Sequence, residues 1–181
     1  MKPALLAATA IFLCMATPAN AQLSKPETKM AATVDAEYER SVALLEKLVN
    51  QNSGSLNLDG VEKVGQMMRA ELEMLGFNVR WVPMAAAGRS GHLIATRKGD
   101  GKGNKMLLIG HLDTVFEPAS PFQTFVRDGD KAVGPGANDN KGGIVIMLAA
   151  LRAMQAAGTL SKADIEIVLT GDEEDAGDPI E

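Results

Sequence analysis

Three stretches of this chain gather the groups that bind metals and move protons. His111 and Asp113 stand two residues apart, just after the apolar run "MLLIG" (106–110). Asp139 lies in the glycine-rich turn "GPGANDNKGG" (134–143). Asp172, Glu173, Glu174, Asp175 and Asp178 follow "IEIVLTG" (165–171), five carboxylates within seven residues. Each has a plain reading when taken singly. His111 could be a hydrogen-bonded histidine at a strand end, Asp139 a helix N-cap, and the acidic run a solvated loop. Three apolar elements each delivering a His or a carboxylate to the same end of a sheet point instead to a shared site. Imidazole and carboxylate without sulfur suit a catalytic zinc, or manganese or cobalt in its place.

The local chemistry can be read further. His111 would bind through one ring nitrogen. Asp113, two residues on, points to the same side of an extended strand and could accept the other ring N–H, which would fix the tautomer. Asp139 has two oxygens and could bridge two ions. Neighbouring carboxylates in the acidic run can divide the work, one binding metal and one remaining a base for hydrolysis. The glycine turn is not a phosphate loop. Lys141 has Asn140 before it and Gly142 after it, where a Walker loop needs Gly and Ser or Thr. Asp139 occupies the sixth position from Gly134, where a dinucleotide fingerprint needs Gly.

These groups need elements to place them. Val42, Leu44, Leu45, Leu48 and Val49 recur at helical spacing and predict a helix from about 34 to 51. "QNSGSLN" (51–57) breaks it. A second helix is expected from about 58 to 75, with Asp59 able to cap its start and Gly76 placed to end it. "NVRWVPM" and "HLIATRKG" read as strands, and "KMLLIGHLD" as a strand buried on both faces. A hairpin is expected around Asp128-Gly129-Asp130. A largely buried helix follows from 141 to 157, ended by Gly158, and "ADIEIVLTG" is a last buried strand. Helices alternating with apolar strands predict an α/β fold with a mainly parallel central sheet flanked by helices. Ligands in such folds bind at the carboxyl ends of the strands.

The totals exclude some functions. The chain has 181 residues with 18 basic and 23 acidic side chains, a net charge of −5. No basic block stands out, so neither nucleic acid nor anionic membrane is an expected partner. Residues 1–21 read as a signal peptide: Lys2, an uncharged apolar stretch from Ala4 to Thr17, and Ala19-Asn20-Ala21 for the peptidase. The expected product is exported, periplasmic or secreted. Cys14 is the only cysteine, so the processed chain has neither a disulfide nor a thiolate ligand. Residues 22–33 are expected to be a flexible leader, and residues 34–181 one domain.

"GHLDTV", "GPGANDNKGG" and "GDEED", in this order, resemble the signature of the M20 family of metallopeptidases, and within it the glutamate carboxypeptidase-like group. The resemblance runs from about residue 35 to the end. It implies a zinc-peptidase catalytic domain with two zinc ions that hydrolyses amide bonds, often releasing a C-terminal amino acid from a peptide or N-acyl amino acid. Carried over, His111 is a ligand of one ion, Asp113 orients it, and Asp139 bridges the two ions. Glu173 is the general base and Glu174 a ligand of the second ion. The resemblance also implies a cis peptide bond after Asp139. Asp172 and Asp175 match no ligand position, and His92 lies outside every motif and reads as structural. Members of the family run further, with another acidic ligand, a late histidine and a lid or dimerisation domain. The chain is therefore expected to be the N-terminal part of such an enzyme, inactive alone and a homodimer at full length. Aminoacylase, dipeptidase and desuccinylase activities share this machinery. A non-catalytic metal-binding remnant is the reading from another class.

Overall fold

The computed structural model describes residues 22–177. The expected signal peptide (1–21) and Asp178 lie outside them. The first helix, α1, spans Lys25–Ala36, so most of the segment expected as a flexible leader is helical. Ser24 and Glu27 form a reciprocal capping box: the Glu27 carboxylate accepts the Ser24 N–H at 2.7 Å, and Ser24 Oγ accepts the Glu27 N–H at 3.5 Å. Pro26 sits in the first turn, where it starts a helix rather than breaking one. Helix α2 spans Tyr38–Asn50. The one helix expected from 34 to 51 is thus divided at Glu37, whose φ of −100° and ψ of 10° leave helical geometry.

Helix α3 spans Leu58–Met74. Its cap is Asn57, which accepts the Gly60 N–H at 3.1 Å, and not Asp59. Asp59 pairs instead with Lys63 one turn on, at 2.6 Å. Gly76 ends the helix at a φ of 78°, as expected.

Four strands form the main sheet: β1 (Asn78–Pro83), β2 (Gly91–Arg97), β3 (Lys105–His111) and, after β4 (Val126–Asp128), β5 (Lys131–Val133) and α4 (Lys141–Ala156), strand β6 (Asp164–Thr170). Their order is β1-β2-β6-β3, and β4 pairs only with β5, as the expected hairpin. β1 with β2 and β2 with β6 are antiparallel; only β3 with β6 is parallel. The sheet is mixed, correcting the expectation of a mainly parallel one. The parallel pair is the one joined across α4, the connection such strands require.

Alternate residues of each strand face the helices. Leu93 and Ala95 of β2 and Ile165, Ile167 and Leu169 of β6 are buried with Val61, Val64, Met68 and Leu72 of α3 and Ile144, Leu148 and Leu151 of α4. Each such aliphatic side chain contributes about 1.5–3 kcal/mol. The other face is open. Leu107 is 57% and Ile109 71% exposed, and Met106 on the opposite face is 47% exposed, so β3 is not buried on both faces. An apolar run shows that a strand avoids water, but not that an element lies on each side to cover it; among the described residues β3 is an edge strand.

Lys141, the first residue of α4, is buried. Its Nζ donates to the carbonyls of Leu48 and Gln51, each at 2.9 Å. A cation there satisfies the carbonyls ending α2 and fixes the start of α4 against that helix. Burial lowers the Lys141 pKa to about 8.

Candidate metal centre

The parallel register of β3 and β6 sets His111 opposite Thr170. The chain leaving β3 and the acidic loop leaving β6 therefore emerge side by side, joined by the Leu112 N–H donating to the Thr170 carbonyl at 2.7 Å. The turn before α4 opens onto the same end. Gly110 lets it approach: a Cβ there would lie 2.8 Å from Asn140 Oδ1. The Asp139–Asn140 peptide bond is cis, as the family resemblance implied.

His111 is buried at the strand end. Its Nε2 lies 3.0 Å from Asp139 Oδ1 and 4.0 Å from Glu173 Oε2. Its Nδ1 faces Asp113, 3.2 Å from the backbone oxygen and 3.4 Å from Oδ1. Nitrogen of His111 and oxygens of Asp139 and Glu174 lie within 4.8 Å of one another. Those are the three residues of this chain expected as ligands. Asp113 lies behind the imidazole, as expected, and Glu173 beside it.

Asp113 is fully buried. Its Oδ2 accepts the Ser55 hydroxyl at 2.6 Å and the Glu174 N–H at 3.0 Å; its Oδ1 accepts the Glu173 N–H at 3.2 Å. Burial alone would raise its pKa, but hydrogen bonds from His111, Ser55, Glu174 and Glu173 outweigh it and lower it. For His111, burial disfavours the imidazolium. The hydrogen bonds to Asp113 and Asp139 and the charges of Asp113 and Glu173 overcome this and raise its pKa to about 9. Burial raises the Glu174 pKa; the Asp139, Glu173 and Asp113 charges add to it, against the opposing charge of His111. Four carboxylates thus surround one imidazole. A divalent cation would relieve that surplus of negative charge, so the donor set fits a metal of the zinc class.

The remaining expected residues fall outside the ligand group. His92 Nδ1 accepts the Gly171 N–H at 3.3 Å and holds the start of the acidic loop. Asp172 Oδ2 accepts the Gly177 N–H at 3.3 Å. Asp175 pairs with Arg89, whose Nη2 is 3.0 Å from Oδ1 and whose Nε donates to the Asp175 carbonyl at 2.7 Å. Sequence reasoning missed Arg89 and Ser55. "NSGS" read only as a helix break, because its partner Asp113 lies 58 residues away. An apolar concavity of about 420 Å³ between α1, α2, α4 and the β4–β5 hairpin contains none of these groups. Its size does not make it the reactive site, since it brings together no ligands.

Residues 107–179 match the family described as Peptidase family M20/M25/M40. Over 173 residues the chain is 32% identical to carboxypeptidase G2 of Pseudomonas sp. (strain RS-16), covering 92% of this chain and 41% of that protein. Over 142 residues it is 29% identical to succinyl-diaminopimelate desuccinylase of Leptothrix cholodnii, covering 74% of this chain and 36% of that one. Among solved structures, human carnosine dipeptidase 1 superposes with a TM-score of 0.71 at 21% identity, covering 87% of this chain and 37% of that chain; at this identity the likeness speaks for the fold. The chain spans 29–41% of the length of the curated relatives it matches.

Proposed function

Since its matched segment makes this chain a member of peptidase family M20/M25/M40, we propose that it contributes the metal-binding core of a hydrolase that cleaves amide bonds. The observation that carries the reading is the convergence of His111, Asp139 and Glu174 within 4.8 Å, with Glu173 Oε2 4.0 Å from His111 Nε2. His111, Asp139 and Glu174 would hold the metal, zinc in the first instance. When bound, the metal supplies Lewis acidity towards the amide carbonyl and makes water a nucleophile near neutral pH.

The chain's own groups do the rest. Asp113 holds Nδ1 of His111, which leaves Nε2 for the ligand side. Its grip on the Glu173 and Glu174 N–H groups fixes the backbone that carries base and ligand. The Glu173 carboxylate is largely exposed, on the side a substrate would approach. It takes the proton from the attacking water as the C–O bond forms. It returns that proton to the amide nitrogen as the C–N bond breaks, so the products are an acid and a free amine.

The finer reading is release of a C-terminal amino acid from a peptide or N-acyl amino acid. The 32% identity to carboxypeptidase G2 supports it; desuccinylase, aminoacylase and dipeptidase activities are its rivals within the family. Export through residues 1–21 and homodimerisation belong to the same proposal. The test is Glu173→Gln in the full-length protein, assayed on N-acyl amino acids, dipeptides and N-succinyl amines. Hydrolysis is expected to fall by at least about 10²–10⁴-fold while zinc content is retained. A variant that keeps its activity would remove Glu173 as the base, and the preferred substrate of the unmodified enzyme would decide among the activities.

A further inference from the structure

We infer that Ser55 is a positioning residue for the metal centre: through its hydrogen bond to Asp113 it sets the placement of both His111 and Glu174. This rests on the metal reading above. Ser55 is buried in the loop between α2 and α3, and its hydroxyl donates to Asp113 Oδ2 at 2.6 Å. That is short for O–H···O and typical of a hydroxyl on an ionised carboxylate. The backbone holds the hydroxyl in place. Gly54 and Thr114 form an isolated parallel bridge, with Ser55 N–H on the Thr114 carbonyl at 3.2 Å and Thr114 N–H on the Ser53 carbonyl at 2.9 Å. Ser53 Oγ adds a bond to the Leu112 carbonyl at 2.8 Å.

The consequence follows from how Asp113 divides its two oxygens. Oδ1 faces His111 Nδ1 and the Glu173 N–H, and Oδ2 takes Ser55 and the Glu174 N–H. Removing the hydroxyl leaves a buried anionic oxygen with one donor fewer, and the carboxylate turns about its Cβ–Cγ bond to recover solvation or another donor. That rotation displaces the imidazole on one side and the Glu174 backbone on the other. Ser53 lies just as deep, but its hydroxyl meets the backbone carbonyl of Leu112 and no side chain of the site, so the pair separates positioning through the Asp113 carboxylate from support of the backbone.

The experiment uses the full-length protein, stripped of metal and titrated with Zn²⁺ against a chelating indicator, with Co²⁺ as a spectroscopic probe. Ser55→Ala is expected to weaken Zn²⁺ binding by at least about tenfold and to change the visible Co²⁺ spectrum, the usual scale for losing a group behind a ligand. Ser55→Thr, which keeps the hydroxyl, should stay within about threefold of the unmodified protein. Ser53→Ala should lower the melting temperature about as much as Ser55→Ala, since each loses one buried hydrogen bond, yet leave Zn²⁺ affinity within about twofold. Zn²⁺ binding by Ser55→Ala within about twofold of the unmodified protein would overturn the inference. Equal weakening by Ser53→Ala, or a Ser55→Thr protein that melts normally but binds as poorly as Ser55→Ala, would do the same. An unmodified protein that binds no Zn²⁺ would bring down the metal reading itself, and this inference with it.

Discussion

At the scale of single residues, His111, as the proposed ligand, is where metal and proton would compete. Its carboxylate neighbours stabilise the imidazolium and raise its pKa from the ordinary 6.5 to about 9, whereas a ligand must be neutral at the nitrogen that binds. Metal uptake at pH 7 should therefore release a proton from this residue. Apparent affinity should then climb by about tenfold per pH unit and level off near pH 9. Calorimetry in buffers of different ionisation heat measures the released proton directly. The sign reverses for the metal-stripped fold. A pKa raised on folding stabilises the folded state fully below 6.5, and this contribution is lost as pH rises through about 9. The stripped protein should melt progressively lower across that interval, and His111→Asn should flatten the decline. A decline unchanged in His111→Asn would place the titrating group elsewhere.

At the scale of elements, the site is made by two strand ends and one turn brought to the same place, and Gly110 sets how closely the turn approaches. An alanine Cβ there would lie 2.8 Å from Asn140 Oδ1 and 3.1 Å from Ile144 Cγ2. Gly110→Ala should cost about 1–3 kcal/mol through overpacking and, by displacing Asn140, weaken metal binding. A Cβ on Gly103 would meet the Lys162 carbonyl oxygen at 3.6 Å, an ordinary contact, so Gly103→Ala should stay within about 0.5 kcal/mol. Equal effects of the two in urea melts would show that Gly110 carries no special constraint. Most elements were legible, although α1 falls largely in the segment expected as a flexible leader. The apolar alternation of β6, the helical spacing of α3 and α4 and the glycines ending both helices are local signals, and local signals survive in a string of letters. Pairing partners were not. β2 lies between β1 and β6, and nothing local to β2 says that its second neighbour comes from 67 residues or more along the chain. The residues that meet at the candidate site were legible because each stands next to the end of such an element. Ser55 was not, because its one informative contact is formed only when two distant loops meet.

At the scale of the whole molecule, the helical layer is tied together by charge inside its packing. Arg152 lies in the buried stripe of α4, where Leu148 and Leu151 gave no hint of a cation. Its Nη2 donates to Glu71 of α3 at 2.5 Å, and its Nε is 3.9 Å from Glu37 at the junction of α1 and α2. One side chain thus links all four helices. The network is incompletely satisfied: Arg152 Nη1 and Glu37 Oε2 are buried without a hydrogen-bond partner among the described residues. Desolvating such a cluster consumes much of what its attraction returns, while breaking it leaves a buried charge uncompensated. The two outcomes are separable. Arg152→Met alone should destabilise the fold by roughly 1–3 kcal/mol, because Glu71 and Glu37 lose one of two counter-ions and keep only the exposed Arg40, 3.6 Å from each. Adding Glu71→Leu should restore more than half of that loss, since the pair is then replaced by matched apolar volume rather than halved. Denaturant melts of the unmodified, single and double variants form the test. A single variant within about 1 kcal/mol of the unmodified protein would mean that the cluster does not hold the helices. A double variant no better than the single would mean that the arginine acts through its packed stem, not its charge.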